Sequence, residues 1–294
     1  TPITLTIPTE LPVSYVDFSV TGDSSNLGEE PYNLIVKAPE GMTFRDGTTE
    51  QTFPIDESNK YTVAFYGDLY GDLLAQQPLQ VSFETENALV PQNVSVASFT
   101  PEGHLPVSVK IPYLFFEDFS LISSFNAHAD NSIGNPDAID LTQYGLTGWY
   151  GARAQGEAGQ AIRIRLLGNG LVYYPARIDS GPLSNIKADR SVKVRVTFNA
   201  DASGDNPDRM RCDVGTSEGR GGFQGNTAIP NKIATLTIAG NSSVSYTNIT
   251  GEYSYEISNS NNTTCLCWEY YRNNGWVSGY RELWLDNIRV TIVK

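Results

Sequence analysis

Several large aromatic residues lie where a chain least often buries them. Trp149, Tyr150, Tyr271, Trp276 and Tyr280 fall in or beside Gly- and Asn-rich segments, outside the middles of apolar runs. Such a ring stacks on the C–H face of a sugar while polar neighbours bond the hydroxyls around it. Arg153, Asn273 and Asn274 are the neighbours suited to that role. The competing reading is that these rings roof the ends of a sandwich. Trp268 and Trp284 sit within apolar alternation and are expected in the core. Arg163, Arg165, Lys193 and Arg195 would form a basic stripe if their strands were adjacent. That stripe would suit an acidic sugar or the acidic first part of the chain; otherwise these residues line a solvated strand face.

Carboxylates raise a second possibility. In Leu283–Val293, period two places Asp286 on the same face as Trp284, Ile288, Val290 and Ile292. An inward carboxylate costs several kcal/mol unless it is paired, hydrogen-bonded or bound to a metal. Nucleophilic catalysis finds no support: the two histidines, His104 and His128, have no recognisable Ser or Cys partner. Gly219-Arg-Gly-Gly222 lacks the Lys and helix of a phosphate loop. A glycosidase needs two acids that any loops can supply, and Asp and Glu are too plentiful here to single out a pair. Cys265 and Cys267 lie two apart on one strand face, where a bond would be strained. A bridge from Cys212 to either requires neighbouring strands. The other reading is three buried small hydrophobes.

The elements that must position these groups are strands. The chain of 294 residues is rich in Tyr and Phe (16 and 12) as well as Val, Thr, Ser and Asn, and no segment carries three turns of helical apolar spacing. Alternation marks Ile3–Ile7, Ser14–Val20, Tyr32–Lys37, Lys60–Tyr66, Leu79–Glu84, Asn93–Phe99 and Val107–Ile111 as strands, separated by turn-forming clusters. The second part adds Ile162–Leu166, Val192–Phe198, Ile233–Ile238, Val244–Tyr246, Cys265–Tyr270 and Leu283–Val293, with a hairpin signal at Asn273-Asn-Gly275. Charge divides the chain near Pro112: residues 1–112 hold 4 basic and 15 acidic residues, residues 113–294 hold 16 and 18. The reading is therefore all-β, an antiparallel sandwich over 1–112 followed by a larger jelly-roll sandwich over 113–294. A net charge of −13 without basic runs argues against nucleic acid. No apolar stretch reaches the roughly 20 residues of a transmembrane helix. The sequence opens at Thr1 without an initiator Met, charged n-region or apolar h-region, as a mature or trimmed chain would.

Two stretches carry a resemblance. Phe115-Phe-Glu-Asp-Phe-Ser120 and Leu283-Trp-Leu-Asp-Asn-Ile-Arg-Val290 resemble the first and last strands of galactose-binding-like jelly rolls, a class containing many non-catalytic carbohydrate-binding modules. Gly148-Trp-Tyr-Gly-Ala-Arg153 and Tyr174-Pro-Ala-Arg-Ile-Asp179 are similar to segments of cell-envelope lipoproteins of gut bacteria. Lys60-Tyr-Thr-Val-Ala-Phe-Tyr-Gly67 resembles immunoglobulin- or fimbrillin-like modules that precede such jelly rolls. The resemblance implies a non-enzymatic, lipid-anchored surface protein that binds a polysaccharide or glycoconjugate, with other envelope proteins as further partners. It also implies neighbouring first and last strands, which would bring Glu117 and Asp118 to Asp286 around a structural Ca²⁺, an ion that takes about six to eight oxygens. The alternatives are an adhesion or fimbrial-type component without a small ligand, and a glycoside hydrolase.

Overall fold

The computed structural model describes residues 13–28, 32–67, 78–94, 103–127, 138–169, 172–204, 210–217, 228–273 and 279–294. The expected strand Ile3–Ile7, the end of Asn93–Phe99, His128 and Gly219–Gly222 lie outside them. The chain divides into two compact units, Thr1–Pro112 and Tyr113–Lys294. Both are built from strands, and among the described residues helix is limited to the short 3-10 turns Ser24–Leu27 and Thr142–Tyr144. No described helix is long and apolar enough to cross a membrane.

The first unit holds β1 (Val13–Thr21), β2 (Asn33–Lys37), β3 (Met42–Thr43), β4 (Glu50–Pro54), β5 (Lys60–Gly67), β6 (Leu79–Glu84), β7 (Leu89–Val94) and β8 (His104–Lys110). They form two four-stranded sheets, β3-β5-β1-β8 and β4-β2-β6-β7. Strand β1 runs antiparallel to β5 and parallel to β8. Alternation does the packing: Val16, Phe18 and Val20, Val63 and Phe65, and Val107 and Val109 are buried, as are Leu34, Val36, Val81 and Phe83 of the other sheet. Of the strand expected at Asn93–Phe99 only Asn93 and Val94 are described, and they close β7, which begins at Leu89. It contains Pro91, which a sheet tolerates on its last strand, where no ladder donor is missed.

The second unit holds β9 (Phe115–Glu117), β10 (Phe125–Ala127), β11 (Ile139–Asp140), β12 (Tyr150–Ala152), β13 (Ala154–Gly156), β14 (Ile162–Asn169) and β15 (Val172–Tyr174). It continues with β16 (Ala176–Pro182), β17 (Val192–Ser203), β18 (Met210–Ser217), β19 (Asn231–Leu236), β20 (Glu252–Ser260), β21 (Cys265–Arg272) and β22 (Gly279–Ile292). One sheet is ordered β10-β13-β14-β22-β17-β20, with β15 beside β14 and β9 beside β22; the other is β11-β12-β16-β21-β18-β19. Between the sheets Trp149 and Trp268 stack at 6.4 Å, with Phe198 edge-on to Trp268 at 5.8 Å.

One inserted residue corrects the expected register of β22. Thr197 faces Arg289 while Asn199 faces Asp286, so β22 carries one more residue than β17 across that step. Asn287 takes the bulge with φ 49°, a left-handed conformation that Asn accepts more readily than most residues. Leu283, Leu285, Ile288, Val290 and Ile292 face the core, and Trp284 and Asp286 turn to the outer face. The expectation that Asp286 and Trp284 share the face of Ile288 is thus overturned. The segment Val244–Tyr246 is a loop, not a strand. Strands β18 and β21 are neighbours, yet Cys212 pairs with Tyr270 on the inner face while Cys265 and Cys267 point outward; all three thiols are free and buried.

Candidate functional site

The outer face of the larger sheet gathers a polar and aromatic cluster from β14, β17 and β22. Register brings Arg163 beside Trp284 and Arg165 beside Glu282, while Ser203 faces Glu282 from the other side. Alternation forces this placement, because Ile162, Ile164 and Leu166 fill the core and Arg163 and Arg165 point the other way. Glu282 Oε1 accepts from Arg163 Nη1 at 2.8 Å and from Arg165 Nε at 2.8 Å, and its Oε2 accepts from Ser203 Oγ at 2.9 Å. Arg163 Nε donates to Gln155 on β13 at 2.7 Å. The Arg163 guanidinium lies over Trp284 at 5.2 Å and Tyr246 at 5.7 Å, and that of Arg165 over Tyr280 at 4.5 Å. Guanidinium groups and rings therefore alternate along the face from Tyr246 to Tyr280.

A loop forms one side of this platform. Asp201 accepts from Asn241 Nδ2 at 3.1 Å, Thr250 N at 2.8 Å and Gly251 N at 3.3 Å, fastening residues 241–251 to the sheet. Tyr246 of that loop meets Trp284 edge-on at 4.7 Å, and burial raises its hydroxyl pKa. Gly251 fits because a Cβ there would lie 2.3 Å from the Ala200 carbonyl oxygen. At the other end Gly204, with φ +105°, leaves room for Arg281 and the Tyr280 carbonyl. The platform is open to solvent in part: Tyr280 is 39% exposed, and the side chains of Arg163, Arg165 and Glu282 are 19%, 15% and 14% exposed.

Of the described residues singled out for sugar binding, Tyr280 alone reaches this platform, where it joins Arg163 and Arg165 of the expected basic stripe. Trp149 is 2% exposed and Arg153 1%, which removes both from any sugar-stacking role. The Trp149 ring packs on Phe115, Phe119 and Trp268, and Arg153 Nη1 donates to the Pro175 carbonyl at 3.0 Å. Tyr150 and Tyr271 are half-buried on the outer face of the other sheet, where Tyr150 pairs with Asp179 and the Tyr271 hydroxyl reaches Asp213 at 3.3 Å. Asn273 is exposed at the end of β21. Trp276 and Asn274 lie outside the described residues. The basic stripe divides: β22 separates β14 from β17, and Lys193 and Arg195 both pair with Glu256 on β20.

Glu117, Asp118 and Asp286 do come near one another, since β9 pairs with β22. Burial pushes the Glu117 carboxyl up to about 7, with Asp118 and Asp286 adding to the rise. Burial raises Asp286 as well. Each carboxylate turns to a nearby amide: Glu117 to Phe119 N, Asp118 to Ser120 N, and Asp286 to both nitrogens of Asn287. Among the described residues no group of three or more His, Cys, Asp or Glu side chains is placed to hold a metal ion.

Glu282 and Tyr246 escaped the sequence reading. Glu282 follows Arg165 by more than a hundred positions and becomes its partner only through strand order. Tyr246 reads as part of a strand in sequence and acts here from a loop. On the other sheet Arg177 and Asp179 form a fully buried pair at 2.6 Å, also without a local signal.

No family model matches the chain. No curated protein matches it. Among solved structures it is similar to SGBP-B from a complex xyloglucan utilization locus in Bacteroides uniformis, at 13% identity over 97% of this chain and 74% of that one, with a TM-score of 0.26. It is also similar to BcpA, the major pilin subunit of Bacillus cereus, at 13% identity over 96% and 69%, with a TM-score of 0.18.

Proposed function

We propose that the chain is a non-catalytic protein of the exported cell surface, and that its second unit holds a glycan on the outer face of the larger sheet. The observation that carries this reading is the Tyr246–Trp284–Arg163–Glu282–Arg165–Tyr280 platform, in which Trp284 is buried and the exposed Tyr280 ring lies beside fixed hydrogen-bonding groups of the strands. Catalysis is disfavoured there because the acid of the platform has both oxygens occupied by Arg163, Arg165 and Ser203. The jelly-roll resemblance of the first and last strands and the envelope-lipoprotein resemblance support the same reading, with lipid anchoring and envelope partners as its corollaries.

A glycan array probed with the full chain tests this. For a responsive glycan, Tyr280→Ala should weaken binding by about 1–3 kcal/mol, the scale of one aromatic contact. The melting temperature should stay close to wild type, because the ring is 39% exposed. Unchanged affinity in Tyr280→Ala would place the site elsewhere. If the wild type binds no glycan, the adhesion-type structural reading takes its place.

A further inference from the structure

Resting on that reading, we propose that the glycan is anionic: a uronate-bearing chain whose carboxylate is taken by Arg163. The inference comes from counting donors and acceptors on the platform. Glu282, the acceptor at its centre, is saturated by two guanidinium groups and a hydroxyl. Asp201, the other nearby carboxylate, is 3% exposed and engaged by Asn241, Thr250 and Gly251. Arg163 is different. Its Nε goes to Gln155 and its Nη1 to Glu282, and the described residues offer no hydrogen bond to its remaining N–H donors, both of those on Nη2 included.

A planar guanidinium with an unused edge matches the two oxygens of a carboxylate. The orientation of that edge is fixed. Trp284 and Tyr246 pack against the guanidinium, and Gln155 and Glu282 hold two of its nitrogens. The chain as a whole carries a net charge of −13. Such a chain repels polyanions in general, so an anionic ligand needs a specific positive site of this kind. The exposed ring of Tyr280, two strand steps beyond Glu282, lies within reach of a neighbouring sugar in the same glycan.

The test is a titration of the full chain with oligosaccharides of galacturonate, of glucuronate and of mannuronate/guluronate, each beside its carboxyl-reduced counterpart. The expected result is that at least one uronate oligomer binds tenfold or more tighter than its reduced form. Arg163→Gln should weaken binding of the uronate oligomer and bring the charged-to-reduced ratio close to one, and Arg163→Lys should restore the ratio only in part. Melting curves check folding, and if Arg163→Gln fails to fold, the wild-type ratio and Arg163→Lys decide. Equal affinity for charged and reduced forms would overturn the anionic proposal and leave glycan binding standing. Equal binding of sulfated glycans, lost in Arg163→Gln, would overturn the uronate assignment. No binding to any charged or neutral oligosaccharide would remove the glycan reading itself.

Discussion

Glu117 ends β9 opposite Ile288, and that pairing sets its carboxyl near Asp118 and Asp286. With its pKa raised to about 7, the folded protein keeps a proton that the unfolded chain releases near 4.3. Stability from this group is therefore full below about pH 4 and falls as pH rises through 7, by on the order of 3–4 kcal/mol. Glu117→Gln should melt higher than wild type at pH 7.5 and show a flatter profile from pH 4.5 to 7.5. Parallel curves for the two proteins would contradict the assignment. The same melts with excess Ca²⁺ and with chelator should superimpose, whereas a bound cation would lift the wild type. At this scale the sequence was half legible. Asp286 drew attention through its apolar neighbours, but alternation could not show that a bulge would turn it outward. Trp149 and Arg153 look like loop residues in the sequence, and only the closing of the sandwich over them reveals their burial.

At the scale of elements, two features lead to measurable consequences. The β22 bulge depends on Asn287 holding a left-handed conformation, so Asn287→Val should cost about 1–2 kcal/mol and Asn287→Gly little. Equal stability of the two variants in chemical denaturation would show that the bulge relaxes freely. In the core of the second unit, the Tyr270 hydroxyl is buried and has no hydrogen-bond partner among the described residues. Tyr270→Phe removes an unsatisfied group without leaving a large cavity and should raise stability by about 1 kcal/mol. A clear loss would mean that the hydroxyl is satisfied after all. Alternation in the sequence was enough to find β14, β17, β21 and β22, although in the structure Cys265–Tyr270 of β21 and Leu283–Leu285 of β22 are buried without a break. It missed β4, a largely exposed strand, and β16 and β18, whose outer faces are buried as completely as their inner ones. In sequence Ala176-Arg-Ile-Asp179 and Met210-Arg-Cys-Asp-Val214 do alternate apolar with charged residues, but only over short runs, and nothing local shows that Arg177, Asp179 and Asp213 are buried.

For the whole molecule, the two compact units carry very different charge, with 4 basic and 15 acidic residues in the first against 16 and 18 in the second. Residues 113–294 expressed alone should unfold cooperatively, and a molten or aggregated fragment would mean that the units share one core. The all-β class was legible throughout, because aromatic and β-branched alternation recurs between turn residues along the chain. The platform was not, since it joins residues of β14, β17 and β22 that strand order alone makes neighbours. Its role as the glycan-binding face is the central claim. Oxidative footprinting of the full chain, with and without a saturating responsive glycan, tests it most directly. The expected result is protection of Tyr280 and Tyr246, with Tyr150 and Tyr271 on the other sheet unchanged. Protection of Tyr150 and Tyr271 with Tyr280 unaffected would contradict it.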